Sequence, residues 1–334
     1  MHFKGTTLQD IAENANVSKS TVSRVLNNKS VVNSETRRTV LEAMKRLGYE
    51  PNAFARGLAS GRSMTVGVVT QKFGSPYFDA ILQGVIQGFT GTEYSPIFAD
   101  GQWDQRVVSE AIRTLLGRQI DGLILLGCEL DESHMIELQG RLPMLVVGRE
   151  LASWDGQCLF IDNVMAAYEA TNHLIEYGHR KIAMIRGIEH HQDSIRRHEG
   201  YCRALEDAGI AVDPKLVQDG DFSAQSGVIG VSSLLARGAP FTAVFCANDM
   251  MAIGARLALH RHGLRVPDDV SLVGFDDQGE SAFLTPPLTT VRQPAREMGA
   301  AAAEGLMKLM QGETCRLPKL RATLQCRETV RRRQ

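Results

Sequence analysis

Residues 7–27 read TLQDIAENANVSKSTVSRVLN, and the spacing of their apolar side chains decides how the whole chain is read. Leu8, Ile11, Ala12 and Ala15 share one helical face behind Thr7, and Asp10 stands three residues after that Thr, the spacing of a capping box. Asn16 and Val17 make a turn. Ser18 then caps a second helix with Val22, Val25 and Leu26 inward, and Asn27–Asn28 ends it. Ser34 is expected to cap a third helix, with Val40, Met44 and Leu47 inward and Gly48 at its C-terminus. Helix, short turn, helix is a plan in which the second helix enters a DNA major groove with its first residues at the base edges. Lys19 and Arg24 can donate to guanine O6 and N7, and the hydroxyls of Ser18, Ser20, Thr21 and Ser23 suit phosphates. The plainer alternative is a three-helix bundle with a polar outer face.

Charge separates the ends of the chain. The total is nearly balanced, with 37 Lys and Arg against 38 Asp and Glu. Residues 1–62 hold ten of the former and five of the latter, so this end carries about +5 and the remainder about −6. A basic end on an acidic body suits a polyanionic partner, although a solvated basic face has the same composition.

The 7–27 motif resembles the headpiece of the LacI/GalR family of bacterial repressors. By that resemblance Lys19, Ser20 and Arg24 are the base readers, and Thr7, Ser18, Thr21, Asn27, Tyr49 and Asn52 touch the DNA backbone. One departure is Asn16, where the family has Gly in the turn; Asn tolerates positive φ, so the turn is expected to survive. After Pro51, residues 52–60 (NAFARGLAS) resemble the family's hinge helix. The resemblance implies that Ala55 and Leu58 enter the minor groove, Leu58 wedging into the central base step of an operator shared by two copies. Gly57 should weaken this helix by about 1 kcal/mol, so it is expected to order only in a dimer on DNA.

From Thr65 onward, apolar runs at 66–70, 96–99, 122–126, 144–148, 159–162, 182–186, 243–247 and 272–275 alternate with amphipathic helices at 78–89, 105–116, 166–177, 196–208, 225–235 and 250–262. This is an α/β pattern, with parallel sheets covered by helices, and the number of runs suggests two sheets of about five or six strands. Ligands of such sheets bind beyond the strands' carboxyl ends, so two facing sheets make a cleft. Segments such as 75–78 (SPYF), 247–250 (ANDM), 274–277 (GFDD) and 286–290 (PPLTT) stand in the order of the family's sensing domain, which resembles periplasmic sugar-binding proteins. The expected organisation is a helix-turn-helix headpiece over 1–50, a linker over 51–62 and a sensing and dimerisation domain over 63–334. Its N-subdomain spans about 63–161 and 294–322 and its C-subdomain about 164–290 plus the C-terminal segment, with crossings near 161–164, 290–294 and 322–324.

The resemblance makes Arg197 the central effector-binding arginine, Asn248 and Asp276 further polar contacts, and Phe222 a ring that stacks on the effector; Phe73, Phe78 and Gln293 are wall candidates. Arg, Asn and Asp can grip adjacent hydroxyls while an aromatic covers a sugar's C–H face. A small-molecule effector, a sugar first and a purine or sugar phosphate as alternatives, is expected, and no cofactor or metal. Each residue also has a structural alternative: Asp276 can cap a turn, Phe222 can be core. Many sugar-responsive members carry Asp or Asn before Arg149, where this chain has Gly148, which leaves the sugar class open.

Other classes fare worse. Asp276–Asp277 and 189–193 offer carboxylates for glycoside hydrolysis, but neighbouring Asp residues face apart, and no nucleophile elbow or phosphate loop is present, so no enzyme is expected. A transport-type sugar-binding protein would not carry a headpiece. The six scattered cysteines form no C-x-x-C pair, and residues 1–20 lack a signal peptide's apolar core, so a cytoplasmic protein with free thiols is expected. The family's tetramers end in a leucine heptad; this tail has none, so a homodimer is expected on a palindromic operator.

Overall fold

The computed structural model describes residues 6–26, 32–49, 62–151, 154 and 157–333. Two compact units divide after Met64.

The first unit holds helices α1 (Leu8–Asn14), α2 (Lys19–Leu26) and α3 (Ser34–Arg46). The Thr7–Asp10 box closes in both directions, with the Thr7 N–H donating to the Asp10 carboxylate at 2.7 Å. Asn16 adopts φ +49, the left-handed turn expected of it, and the Val17 N–H reaches back to the Ala12 carbonyl at 3.0 Å. Ile11, Val22, Val40 and Ala43 are fully buried together. One cap differs from expectation. Asn33, not Ser34, caps α3, its amide oxygen accepting the Thr36 N–H at 2.7 Å, and Ser34 is the first helical residue. Asn and Ser cap about equally well, so sequence alone does not choose between neighbours. Asn27, Asn52, Ala55 and Leu58 lie outside the described residues.

The second unit contains two sheets. The first, in the order β2-β1-β3-β4-β5, is all parallel: β1 (Thr65–Thr70), β2 (Ser95–Asp100), β3 (Gly122–Leu126), β4 (Met144–Val147) and β5 (Cys158–Leu159). Both of its faces are buried. Val66, Val68, Ile124, Leu126, Leu145 and Val147 pack on one side, and Val69, Leu123, Leu125, Met144 and Val146 on the other. This is why the strands read as continuous apolar runs rather than as alternation. Helices α4 (Pro76–Phe89), α5 (Gln105–Gly117) and α6 (Glu132–Gln139) connect them.

The chain then passes through α7 (Asn163–Glu176) into the second sheet, ordered β11-β10-β9-β8-β6-β7. Its strands are β6 (Ile182–Ile185), β7 (Val217–Gln218), β8 (Ala243–Cys246), β9 (Ser271–Asp276), β10 (Thr289–Arg292) and β11 (Thr323–Gln325). All neighbours are parallel except β10 and β11, an antiparallel edge pair the sequence pattern did not reveal. Helices α8 (Gln192–Asp207), α9 (Ala224–Ala236) and α10 (Asp249–Arg261) lie within this half. Between β10 and β11 the chain returns to the first half as α11 (Ala295–Met310), which packs on α4 and β4. Three segments therefore join the halves: 160–162, 293–294 and 311–322.

Three helix pairs touch backbone to backbone; in one of them a Cβ on Gly200 of α8 would fall 2.1 Å from the Val164 carbonyl of α7. A Cβ on Gly84 of α4 would fall 2.0 Å from the Arg296 carbonyl of α11, and one on Gly299 the same distance from the Ile81 carbonyl. In the other half, a Cβ on Gly227 of α9 or Gly254 of α10 would sit about as close to the partner helix's carbonyl, at 2.1 and 1.8 Å. Only glycine permits such approach.

Candidate functional site

Two surfaces carry the expected site residues. On α2, Val22 and Val25 are buried while Lys19, Ser20 and Arg24 point to solvent. The Ser18 hydroxyl accepts the Thr21 N–H at 3.1 Å and lies 2.8 Å from the hydroxyls of both Ser20 and Thr21, so this end of the helix is a fixed hydroxyl cluster. Thr7 is exposed but already engaged in its cap, and Tyr49 is half-buried against the headpiece core.

The second surface lies between the sheets. Arg197, on α8, is 3% exposed. Its Nε donates to the Asn163 side chain at 2.9 Å and its Nη1 to the Ala247 carbonyl at 2.6 Å, while the guanidinium lies 3.8 Å from the centre of the Phe275 ring. Two carboxylates flank it, Asp193 at 3.6 Å and Asp276 at 3.8 Å. Asp276 ends β9 at φ +113 and accepts from the Gln293 and Gln278 amides at 2.7 and 3.2 Å. Burial pushes its carboxyl up to about 6 against the pull of Arg197. Beneath it Asp249, fully buried, accepts the Gln278 N–H and the Ser281 and Thr290 hydroxyls. Burial, with Asp276 adding to it, raises Asp249 to about 7.

Aromatic rings close the cleft over these charges. Phe222, at φ +66, approaches Gly187 so closely that a Cβ there would meet the ring at 2.0 Å. Phe222 stacks on Trp103 from the other half, with ring centres 5.9 Å apart and planes 22° apart, and His191 meets both rings edge-on. Phe78 meets Trp103 at 5.8 Å. What remains inside, lined by Tyr77, Phe78, Asn248 and the Arg197–Asp276 group, is a cavity of about 30 Å³, room for about two ordered waters. In this closed form Trp103 and Phe222 fill the space.

The structure therefore gathers Phe78, Arg197, Phe222, Asn248 and Asp276 around one cavity. Asn248 also caps α10 through its oxygen and donates to the Phe222 carbonyl at 2.9 Å, which positions that ring. Gln293 braces Asp276 from behind rather than lining the wall. Phe73 does not line the cavity either: it is 42% exposed, on the turn where Gly74, at φ +75, leads into α4. Arg149 is tied to the Cys128 and Leu130 carbonyls. Sequence reasoning missed Tyr77, Trp103, Asn163, His191 and Asp193. The one available signal was Trp103, one of only two Trp in the chain, in a Gly-Gln-Trp-Asp turn just beyond a strand. Among the described residues no group of three or more His, Cys, Asp or Glu could hold a metal ion, and no helix is long and apolar enough to cross a membrane.

Comparison with known proteins agrees with this two-part layout. Residues 7–52 match the model of bacterial regulatory proteins of the lacI family, and residues 171–332 that of a periplasmic binding protein-like domain. The ribose operon repressor of Haemophilus influenzae is 35% identical over 326 residues, 97% of this chain and 98% of that one. A complex of the transcriptional regulator CelR with cellobiose is 35% identical, covering 97% of this chain and 99% of that chain at a TM-score of 0.73. The lac repressor dimer, bound to operator and the anti-inducer ONPF, is 31% identical, covering 98% of this chain and all of that one at a TM-score of 0.88. With a lacI-type headpiece at one end and a periplasmic-binding-protein-like sensing domain behind it, the chain belongs to the LacI family of bacterial regulatory proteins and is a DNA-binding regulator of transcription controlled by a small molecule.

Proposed function

We propose that this regulator is a repressor that binds a palindromic operator as a homodimer, and that a neutral sugar in the cleft controls its operator affinity. The observation that carries the effector class is the charge balance at Arg197. A lone guanidinium would favour a phosphate, but here Asp193 and Asp276 flank it, so a sugar phosphate would bring a third negative charge to the site. Donors and acceptors side by side beneath aromatic faces suit adjacent hydroxyls. Asp193 also offers an acceptor that Gly148 does not. The names of a ribose operon repressor and a cellobiose complex among its relatives support the same class.

At the headpiece, Lys19, Ser20 and Arg24 read the bases, with Thr7, Ser18, Thr21, Asn27, Tyr49 and Asn52 on the backbone and Ala55 and Leu58 in the minor groove. Coupling runs through the crossings between the halves. Arg197 bonds Asn163, beside the first crossing, and Asp276 bonds Gln293, in the second, so a ligand engaging either charge acts on the segments about which the halves turn. Such a ligand shifts DNA affinity only as far as it prefers one cleft state. A thermal-shift screen of the full chain against neutral sugars, sugar phosphates and purines tests the reading, because a ligand of the native state raises the melting temperature. A rise with neutral sugars is expected; a rise only with a phosphorylated sugar or a purine overturns the effector class. Leu58→Ala should weaken operator retardation with the melting temperature unchanged, and full retention would remove the wedge.

A further inference from the structure

A second cavity in the same cleft, about 340 Å³ in volume, shares Trp103 and His191 with the first as a common wall. Gln71, Gln105 and Glu129 also line it. That volume lies at the lower end of small-molecule sites, whereas the first cavity has room for about two waters.

One polar group here is left incomplete. His191 is 4% exposed, and its Nδ1 accepts the Asp193 N–H at 3.2 Å, which leaves the proton of a neutral ring on Nε2. That Nε2 is buried without a hydrogen-bond partner, and the Glu129 carboxylate is 3.9 Å away, too far to accept. Buried donors without acceptors are rare in native proteins and call for explanation. Gln71 is almost wholly buried, and its main-chain carbonyl accepts the Trp103 main-chain N–H at 3.1 Å. An imidazole donor, a carboxylate acceptor and an amide line the cavity together with an indole, and no Lys or Arg lines it among the described residues.

We infer that this cavity is a second sugar subsite and that the effector is a neutral disaccharide. One ring lies over Arg197 and Asp276; the other lies on Trp103 with its hydroxyls between His191, Glu129 and Gln71. The wall between the cavities is made of side chains, so rotation of Trp103 away from Phe222 joins them. This rests on the sugar reading above and adds the length of the ligand.

Calorimetric titration of the full-length protein with glucose, galactose and ribose against cellobiose, maltose and lactose tests it. At least one disaccharide should bind about tenfold or more tighter than its component monosaccharides. Gln71→Met should remove most of that preference, and so should His191→Asn, which keeps a capping acceptor at the start of α8. Each is expected to cost the disaccharide about tenfold more affinity than the monosaccharide. A monosaccharide bound as tightly as any disaccharide, or a preference that survives Gln71→Met, overturns the subsite and leaves the sugar reading standing. Failure of every sugar to bind the folded protein overturns both.

Discussion

Lys19 and Arg24 stand exposed on α2, while Val22 and Val25 beneath them secure the helix; Arg197 and Asp276 are buried and bonded on every side. On α2, the residues proposed to read DNA and the residues that fold the helix are different ones. In the cleft they are the same. The headpiece can therefore change its target at little cost in stability, whereas the sensing site can change its ligand only by rebuilding part of a core.

The sharpest way to break that contrast is Arg197→Ala. It strands Asp276 and Asp193 without their cation, and removing one partner of a buried pair costs about 3–5 kcal/mol. Denaturant unfolding should show that loss, along with loss of the effector response; a variant of native stability would mean that the cleft charges are not structural. On the other side, Arg24→Ala or Lys19→Ala should each weaken specific operator binding by about 1–3 kcal/mol, in retardation assays at fixed salt, and leave stability within about 0.5 kcal/mol. A stability loss like that of Arg197→Ala would erase the distinction.

Proton linkage sharpens it further. Asp249 is raised from its ordinary value to about 7, so the folded state binds its proton more tightly than the unfolded state does. Its contribution is intact at low pH and is lost as pH rises through the folded value. Asp249→Asn should therefore gain on the wild type between pH 5 and 8, by about 2–3 kcal/mol or roughly 5–10 °C in melting temperature. A constant offset would mean that the folded and unfolded states do not differ in proton binding at Asp249 over this range. The smallest effect belongs to the headpiece turn: Asn16→Ala, at φ +49, should cost this unit about 1 kcal/mol in thermal unfolding.

The same contrast governs what the sequence disclosed. The headpiece was legible almost entirely, because caps and periodicity are local; only the choice between Asn33 and Ser34 escaped. The strands buried on both faces announced themselves as apolar runs. β10 did not, because it reads Thr-Thr-Val-Arg, yet Thr289 and Thr290 are fully buried. Their hydroxyls are paired, Thr290 with Asp249 and Thr289 with the Arg327 N–H, partners 40 residues away or nearly so that no local pattern shows. α11 was hidden by its run of small residues, AREMGAAAAEGLMKLM, whose packing depends on how close α4 comes. Position in the family motif gave Arg197, Phe222, Asn248 and Asp276, while Trp103 meets them only through the closing of the cleft, and His191 and Asp193 stand at the start of α8, the helix that carries Arg197.

The glycine contacts between α4 and α11, and between α9 and α10, also set how the two halves can move. Side chains between helices act as bearings that let one slide past another; where backbone rests on backbone, there is none. Each half is thereby stiffened against internal shear, and motion concentrates in the three joining segments. A cleft that opens about these segments turns like a door on its hinge pin. A ring inserted near the pin opens it by a small angle, and the displacement grows in proportion to distance from the axis.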